Sequence, residues 1–314
     1  MDPSDPTTPE PRHFSIRLPR PLWVGLATVV LIVVAVSLRI GVPAYRQQLA
    51  MREIERVGGR LQTDSVGPKW LRDLVGHERM MMFDELTGVL LDETQASDAT
   101  LHEIRHLTGL KHLALDKTLV TDAGLASLEG MTRLESLSLT ETRVTDRGMV
   151  HLERMTRLTD LSLSNTQVTD RGLVHLKGLT RLWRIWIDNT QVTNTGLTHL
   201  KGLTNLKELS IGNTQVTDAG LVHLKGLTKL NVLGLGNTLV TGAGLSQLTG
   251  LPNLESLHLG NTQVTDAGLA RLEGMTGLKW LYLNNAPVTD AGVAKLKLAL
   301  PSLQVNGHFS KNQN

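Results

Sequence analysis

The chain contains no cysteine and few aromatic residues, five Trp, three Phe and two Tyr among 314. The absence of thiols excludes a disulfide framework, a thiolate metal site and a cysteine nucleophile. Neither sign of charge dominates, with 32 Lys and Arg against 30 Asp and Glu. That balance argues against a nucleic-acid binder, which needs an excess of cations. The motifs GxxxxGK[ST], GxGxxG and GxSxG are missing, and HExxH occurs once, at His102 to His106; the expectation is no catalytic residue and no cofactor. With 40% apolar residues, the chain has enough hydrophobic material to fold. Because aromatics are scarce, their positions carry information.

The N-terminal part reads in segments. Residues 1–21 are polar and rich in proline, an expected disordered tail. From Leu22 to Leu38 there is no charge, and with Ile40, Gly41 and Val42 the run reaches the length of a bilayer core. A transmembrane helix is therefore expected over 22–42, with Trp23 and Tyr45 near its ends. The competing reading is a cleaved signal peptide, disfavoured by the length of the run. Arginines flank both sides almost equally, so charge does not set the orientation. The working expectation is a single-pass membrane protein with its C-terminal domain outside the cytoplasm. Residues 43–59 place Leu49, Ile54 and Val57 among charges, as an amphipathic connector helix would. Residues 60–85, with Trp70, Leu74 and the block Met80–Phe83, are expected to form the N-terminal cap of a repetitive region.

From Leu110 the sequence repeats every 24 residues, as L-x-x-L-x-L-x-N-T-x-V-T-D-x-G-L-x-x-L-x-G-L-T-x. A degenerate copy begins at Leu86. A fixed period of this length marks a solenoid. L-x-L puts two side chains on one face of a short strand. The Thr of the N-T pair can satisfy backbone groups as the chain leaves the strand. T-D then signals a helix N-terminus, the following Gly allows close packing, and Leu recurs on the inner helical face. One such unit cannot bury enough apolar surface to fold alone, so the array must be cooperative. The fold class expected is an α/β leucine-rich-repeat solenoid over 86–297, with parallel strands on a concave face and short helices on a convex one. Residues 298–309 break the period with Pro301 and read as a C-terminal cap, and 310–314 as a polar tail.

The pattern LTxLxxLxLxNTxVTDxGLxHLKG resembles the 24-residue leucine-rich repeats of bacterial membrane-anchored proteins. In these a basic tail and one hydrophobic helix precede a connector similar to ERVGGRLQTDSVGPKWL. The resemblance implies a curved scaffold for protein interaction, without catalytic residues. VTDxGL is also similar to repeats of eukaryotic ubiquitin-ligase receptors, but this chain lacks their F-box and repeat Cys, and that function does not carry over.

Three columns invite a chemical reading. His151, His175, His199 and His223 share one repeat position, but parallel side chains one coil apart do not converge on one metal ion. The Asp column, Asp122 to Asp290, lacks calcium-loop spacing and is explained by helix capping. The Asn column, Asn165 to Asn285, lines the strand ends with several Gln and leaves a carbohydrate ligand as the alternative partner. The sharpest signal is aromatic. Trp183, Arg184 and Trp186 stand together in one repeat, with His258, Trp280 and Tyr282 three and four repeats later. Set against small Ser and Gly neighbours, residues of the types that dominate interface energetics make this face the expected protein-binding site.

Overall fold

The computed structural model describes residues 20–64, 70, 73–74 and 84–307. The expectations for the two polar tails and for the Met80–Phe83 block lie largely or wholly outside these residues. The chain divides into two units, Met1–Arg46 and Gln47–Asn314.

In the first unit, helix α1 (Arg20–Val36) ends in a π-helical turn, Ser37–Gly41, and the chain then enters α2 (Val42–Arg56). Side chains of α1, Val24 and Leu31 among them, are exposed. The structure departs here from the single span expected over 22–42. Among the described residues no helix is long and apolar enough to cross a membrane. The α-helical segment stops at 17 residues. Pro43 has no N–H to donate, and the hydrogen-bond ladder changes register in the turn just ahead of it.

In the second unit an 11-stranded sheet runs in strict chain order. Its strands are β1 (Arg60–Asp64), β2 (Glu85–Leu90), β3 (His112–Ala114), β4 (Ser136–Ser138), β5 (Asp160–Ser162) and β6 (Arg184–Trp186). They continue as β7 (Glu208–Ser210), β8 (Val232–Gly234), β9 (Ser256–His258), β10 (Trp280–Tyr282) and β11 (Gln304–Asn306). β1 pairs antiparallel with β2, and every later pair is parallel. The register repeats the sequence period, with Leu137 opposite Leu161, Ile185 beside Leu209 and Leu257 beside Leu281. These side chains join the second Leu of each L-x-L and the Val and Leu columns in one buried core.

Each coil turns away from its strand in the same way. One residue at the turn has positive φ, from 51° to 59°, in all nine coils from Glu93 to Asn285, and in all but the last, where Ala286 follows, it precedes the conserved Thr. Asn tolerates this left-handed conformation better than most side chains, which explains its recurrence. From Thr118 to Thr262 the Thr that follows is buried, and its hydroxyl donates to the carbonyl three residues earlier, as Thr190 Oγ1 does to Ile187 O at 2.7 Å.

The Asp column joins neighbouring coils. Thr169 is a helix N-cap whose Oγ1 accepts from Arg171 N–H. Its own N–H and hydroxyl donate to Asp146 of the previous coil at 2.7 and 2.6 Å. A Cβ on Gly172 would sit 2.6 Å from Asp146 Oδ1, so the Gly of each DxGL is fixed by this approach. Asn194 preserves the rung: its Oδ1 accepts from Thr217 N–H, and its Nδ2 donates to Thr217 Oγ1 at 2.8 Å. Gly242 cannot supply one, and Thr265 in the next coil has no side-chain cap bond. There the two coils close directly, glycine on glycine, with a Cβ at Gly268 falling 2.6 Å from Gly242 Cα. Asp170→Ala is expected to lose about 1–3 kcal/mol by leaving the Thr193 donors unsatisfied. Asp170→Asn should keep most of that stability, and urea midpoints of the two variants check the difference.

Both ends of the array are closed by chain. In α2 the buried residues are Ala50 and Ile54, one turn apart, whereas Leu49 is exposed. Of the residues expected on the inner face of the connector, Ile54 is buried and Val57 packs against the core, while Ala50 takes the place of Leu49, and the helix packs on the first coil. A Cβ on Gly59 would meet Leu91 Cδ2 at 2.5 Å and Ile54 Cγ2 at 2.8 Å. Glu53 accepts from Thr100 Oγ1 at 3.3 Å and pairs with Arg56, whose hydrogen bond holds its carboxyl below the ordinary range. At the far end the helix Asp290–Ala299 runs past residue 297, and β11 re-enters the sheet beside β10.

Candidate functional site: the strand face

On each strand the central residue points into the core, and its two neighbours point outward. The outward residues of β7 and β8 include Ser210 and Gly234, and the chain just beyond these strands carries Gly212 and Gly236. These small residues floor a groove of about 470 Å³. Trp186 stands at one side of it and His258 at the other, with Asp188, Glu208 and Val232 also lining it.

The Trp186 side is held by a charged and aromatic cluster. Arg184 Nη1 donates to Asp160 Oδ2 at 2.8 Å, and Arg184 Nε donates to Glu208 Oε2 at 2.7 Å, bridging β5, β6 and β7. The guanidinium carbon lies 4.3 Å from the ring centroid of Trp183 and 5.1 Å from that of Trp186. Cation–π attraction and the two ion pairs therefore fix Arg184, and Arg184 in turn fixes the indoles. The Glu208 hydrogen bond raises the Arg184 pKa further. Burial pushes the Asp160 carboxyl above its ordinary range, with Arg184 opposing. Trp186 nonetheless keeps 42% of its surface exposed.

The opposite side is a stack. The rings of His258 and Tyr282 lie 4.1 Å apart and 11° from parallel. Burial lowers the His258 pKa, while the charge of Asp188 acts the other way. Trp280 occupies the other outward position of β10 and is exposed. The structure thus brings Trp183, Arg184 and Trp186 into contact and pairs His258 with Tyr282. From these groups Trp186 and His258 line a shared groove, one at each side, whereas Trp183, Arg184, Trp280 and Tyr282 do not line it. Sequence reading passed over Asp160, Asp188 and Glu208 as site residues. Asp188 accepts from Ser210 Oγ at 2.6 Å and from Gly212 N–H at 2.8 Å, and so braces the floor.

The other columns resolve into local chemistry. Asn189 donates from Nδ2 to Asn165 Oδ1, and Asn213 does the same to Asn189, so these amides are engaged with one another. Each His of the column faces the preceding coil rather than its fellow His. His151 and His175 meet Glu129 and Glu153 at 2.6 Å. His199 and His223 lie near Lys177 and Lys201, and burial followed by lysine repulsion lowers both pKa values. A histidine with a depressed folded-state pKa resists a proton that the unfolded chain accepts near pH 6.5. Stability is therefore expected to fall as pH drops below about 6.5. His199→Gln with His223→Gln should flatten the decline of melting temperature between pH 7.5 and 5.5.

The pattern of the Leucine Rich repeat family matches residues 202–224 and 250–272. An internalin from Listeria monocytogenes, inlF, is similar at 28% identity and a TM-score of 0.58, over 68% of this chain and 58% of that one. A second Listeria monocytogenes internalin, inlC2, is 28% identical with a TM-score of 0.52, over 63% of this chain and 81% of that one. A leucine-rich-repeat protein from Leptospira interrogans shares the fold, at 19% identity and a TM-score of 0.51, over 65% of this chain and 56% of that one. The chain spans little more than half the length of the inlF structure. No curated protein matches the sequence. The chain has the leucine-rich-repeat solenoid fold, with a long sheet of parallel strands.

Proposed function

We propose that the solenoid is a non-enzymatic interaction scaffold whose strand face binds a protein partner, with Trp183, Arg184, Trp186, His258, Trp280 and Tyr282 as the contact set. Leucine-rich-repeat solenoids generally serve as interaction scaffolds with extended binding surfaces. The observation that carries the reading is the half-exposed Trp186 indole, held rigid by Arg184 at the side of a glycine- and serine-floored groove. A pre-set aromatic beside a smooth floor loses little side-chain entropy on binding. The apolar surface of α1 supports attachment to a membrane, and the proposal places the repeats outside the cytoplasm.

A photo-crosslinking residue at Ser210, compared with one at Lys225 on the helical side, tests the surface in cells. Discrete protein adducts are expected from Ser210 only, and adducts from Lys225 alone would overturn the assignment. Glycan in place of protein on Ser210 would establish the carbohydrate alternative. Protease added to intact cells should remove the repeats while sparing a short fragment; full resistance would contradict the external placement.

A further inference from the structure

On the strand face the backbone N–H groups of Asp116, Thr140 and Gly212 donate to an acidic side chain of the preceding coil, and that of Asp188 donates to Ser164 Oγ. Asp116 Oδ1 accepts from Thr140 N–H at 2.8 Å and also from the Ser138 hydroxyl. Asp188 Oδ1 accepts from Gly212 N–H and Ser210 Oγ in the same way. The arrangement is a two-donor clamp: an outward side chain of a strand, and the backbone N–H two residues later, close on a carboxylate oxygen from the preceding coil.

The second half keeps the backbone donors and loses the acceptors; of the side-chain donors, Gly234 has none, and His258 Nε2 lies 3.3 Å from Ser256 Oγ, which leaves Nδ1 as its free ring nitrogen. Gly212, Gly236 and Gly260 stand where Asp116 and Asp188 stand earlier, so no side chain reaches the next amide. The N–H groups of Gly260 and Asn284 have no acceptor among the described residues. His258 and Tyr282 hold the positions that Ser138 and Ser210 hold in the satisfied clamps. Charge divides along the same line. Asp92, Asp116, Asp160, Asp188 and Glu208 lie on the first part of this face, and from Val232 onward its outward positions carry no carboxylate. The closest acidic residue in sequence, Glu255, is paired with Lys279 at 2.7 Å.

We propose that the clamps at His258 with Gly260 and at Tyr282 with Asn284 receive carboxylate side chains of a protein partner, in the place that Asp116 and Asp188 fill intramolecularly. The inference rests on the strand face being the partner surface and specifies the partner's chemistry: an acidic segment that also offers an apolar group to Trp186. The carboxylate oxygen accepts one backbone and one side-chain hydrogen bond in each clamp. Charged hydrogen bonds of this kind are the stronger sort.

The test is NMR on the full ¹⁵N-labelled chain, kept in a mild detergent that covers α1. The probe is an eight-residue peptide alternating Glu and Leu, with a control carrying Gln for Glu. Downfield shifts of the Gly260 and Asn284 amide protons are expected with the Glu peptide and not with the Gln peptide. Gly236→Asp should place a carboxylate of the protein itself against Gly260 N–H and weaken the Glu peptide about tenfold or more, the equivalent of one charged hydrogen bond. Tyr282→Phe removes one donor without adding bulk and should selectively weaken the Glu peptide. Equal shifts with the Gln peptide, or undiminished binding by both variants, would overturn the proposal. If the Glu peptide perturbs the Trp186 indole N–H but not Gly260 or Asn284, the clamp assignment is wrong while the strand face stands as the binding surface.

Discussion

Replacing Leu209 with alanine is expected to lower stability by about 3–5 kcal/mol. Leu209 is the central residue of β7, 1% exposed, and its register neighbours are Ile185 and Leu233, each fully buried. Removing three side-chain carbons leaves a cavity that stacked coils cannot close, because the Asn194–Thr217 and Asp218–Thr241 rungs and the sheet hydrogen bonds on either side hold their spacing. A coil has few contacts except with its two neighbours, so the damage lies at the middle of a one-dimensional array. The loss should appear in urea denaturation as a lower midpoint. Two transitions are the expected form if the array separates into halves at this point, and one if it stays cooperative. An unchanged midpoint would mean that the coil interfaces contribute less than the buried core implies. The same change at Leu298, which is 83% exposed, should have almost no effect.

Trp186→Ala is expected to weaken the captured partner about a hundredfold while leaving the melting temperature nearly unchanged, the behaviour of an interface anchor at roughly 3 kcal/mol. The indole is outside the core and half-exposed, so its removal leaves no buried cavity. Arg184→Ala should give a different signature. It would leave Asp160 and Glu208 facing each other without their shared cation and free both indoles, lowering affinity and stability together. A double-mutant cycle between Arg184 and Trp186 should show coupling, because the first positions the second. Titration calorimetry against the crosslinked partner reads both effects. Wild-type affinity for Trp186→Ala would show that the indole is no anchor.

Much of the architecture was legible from period alone. A 24-residue repeat with L-x-L predicts parallel strands in register, and the strands pair at that spacing throughout. The Thr of each N-T pair was readable as a backbone-satisfying group because a short hydroxyl leaving a strand has few other partners. The Asn beside it was not read as a conformational choice, since positive φ leaves no direct mark in a composition. The Asp column was read within one coil, as a cap. Its main partner is Thr in the next coil, and that pairing appears only once coils are stacked. In α2 the large residue Leu49 drew attention, but the small Ala50 faces inward with Ile54. The hydrophobic run at 22–42 showed its composition but not the π turn at Ser37–Gly41 that ends α1.

The aromatic residues of the site were found because they are rare, and their partners were missed because they are common. Asp160 and Glu208 are ordinary charges in sequence, one repeat before and one after Arg184, and only the parallel register makes them its clamps. The change from Asp188 to Gly212, Gly236 and Gly260 was visible in the column as small residues. Its meaning depended on knowing that Asp188 answers an amide in the following coil.

If the strand face between Trp186 and Tyr282 is a contact surface, its backbone amides must be shielded when the partner is bound. Hydrogen–deuterium exchange of the full chain, free and bound to the crosslinked partner, reads that shielding residue by residue. Exchange should slow at residues 186–190, 210–213, 234–237, 258–261 and 282–285, with the helical segments 170–176, 194–200 and 218–224 unchanged. Protection confined to those helical segments, with the strand ends exchanging as in the free chain, would place the partner on the opposite side of the solenoid and refute the assignment.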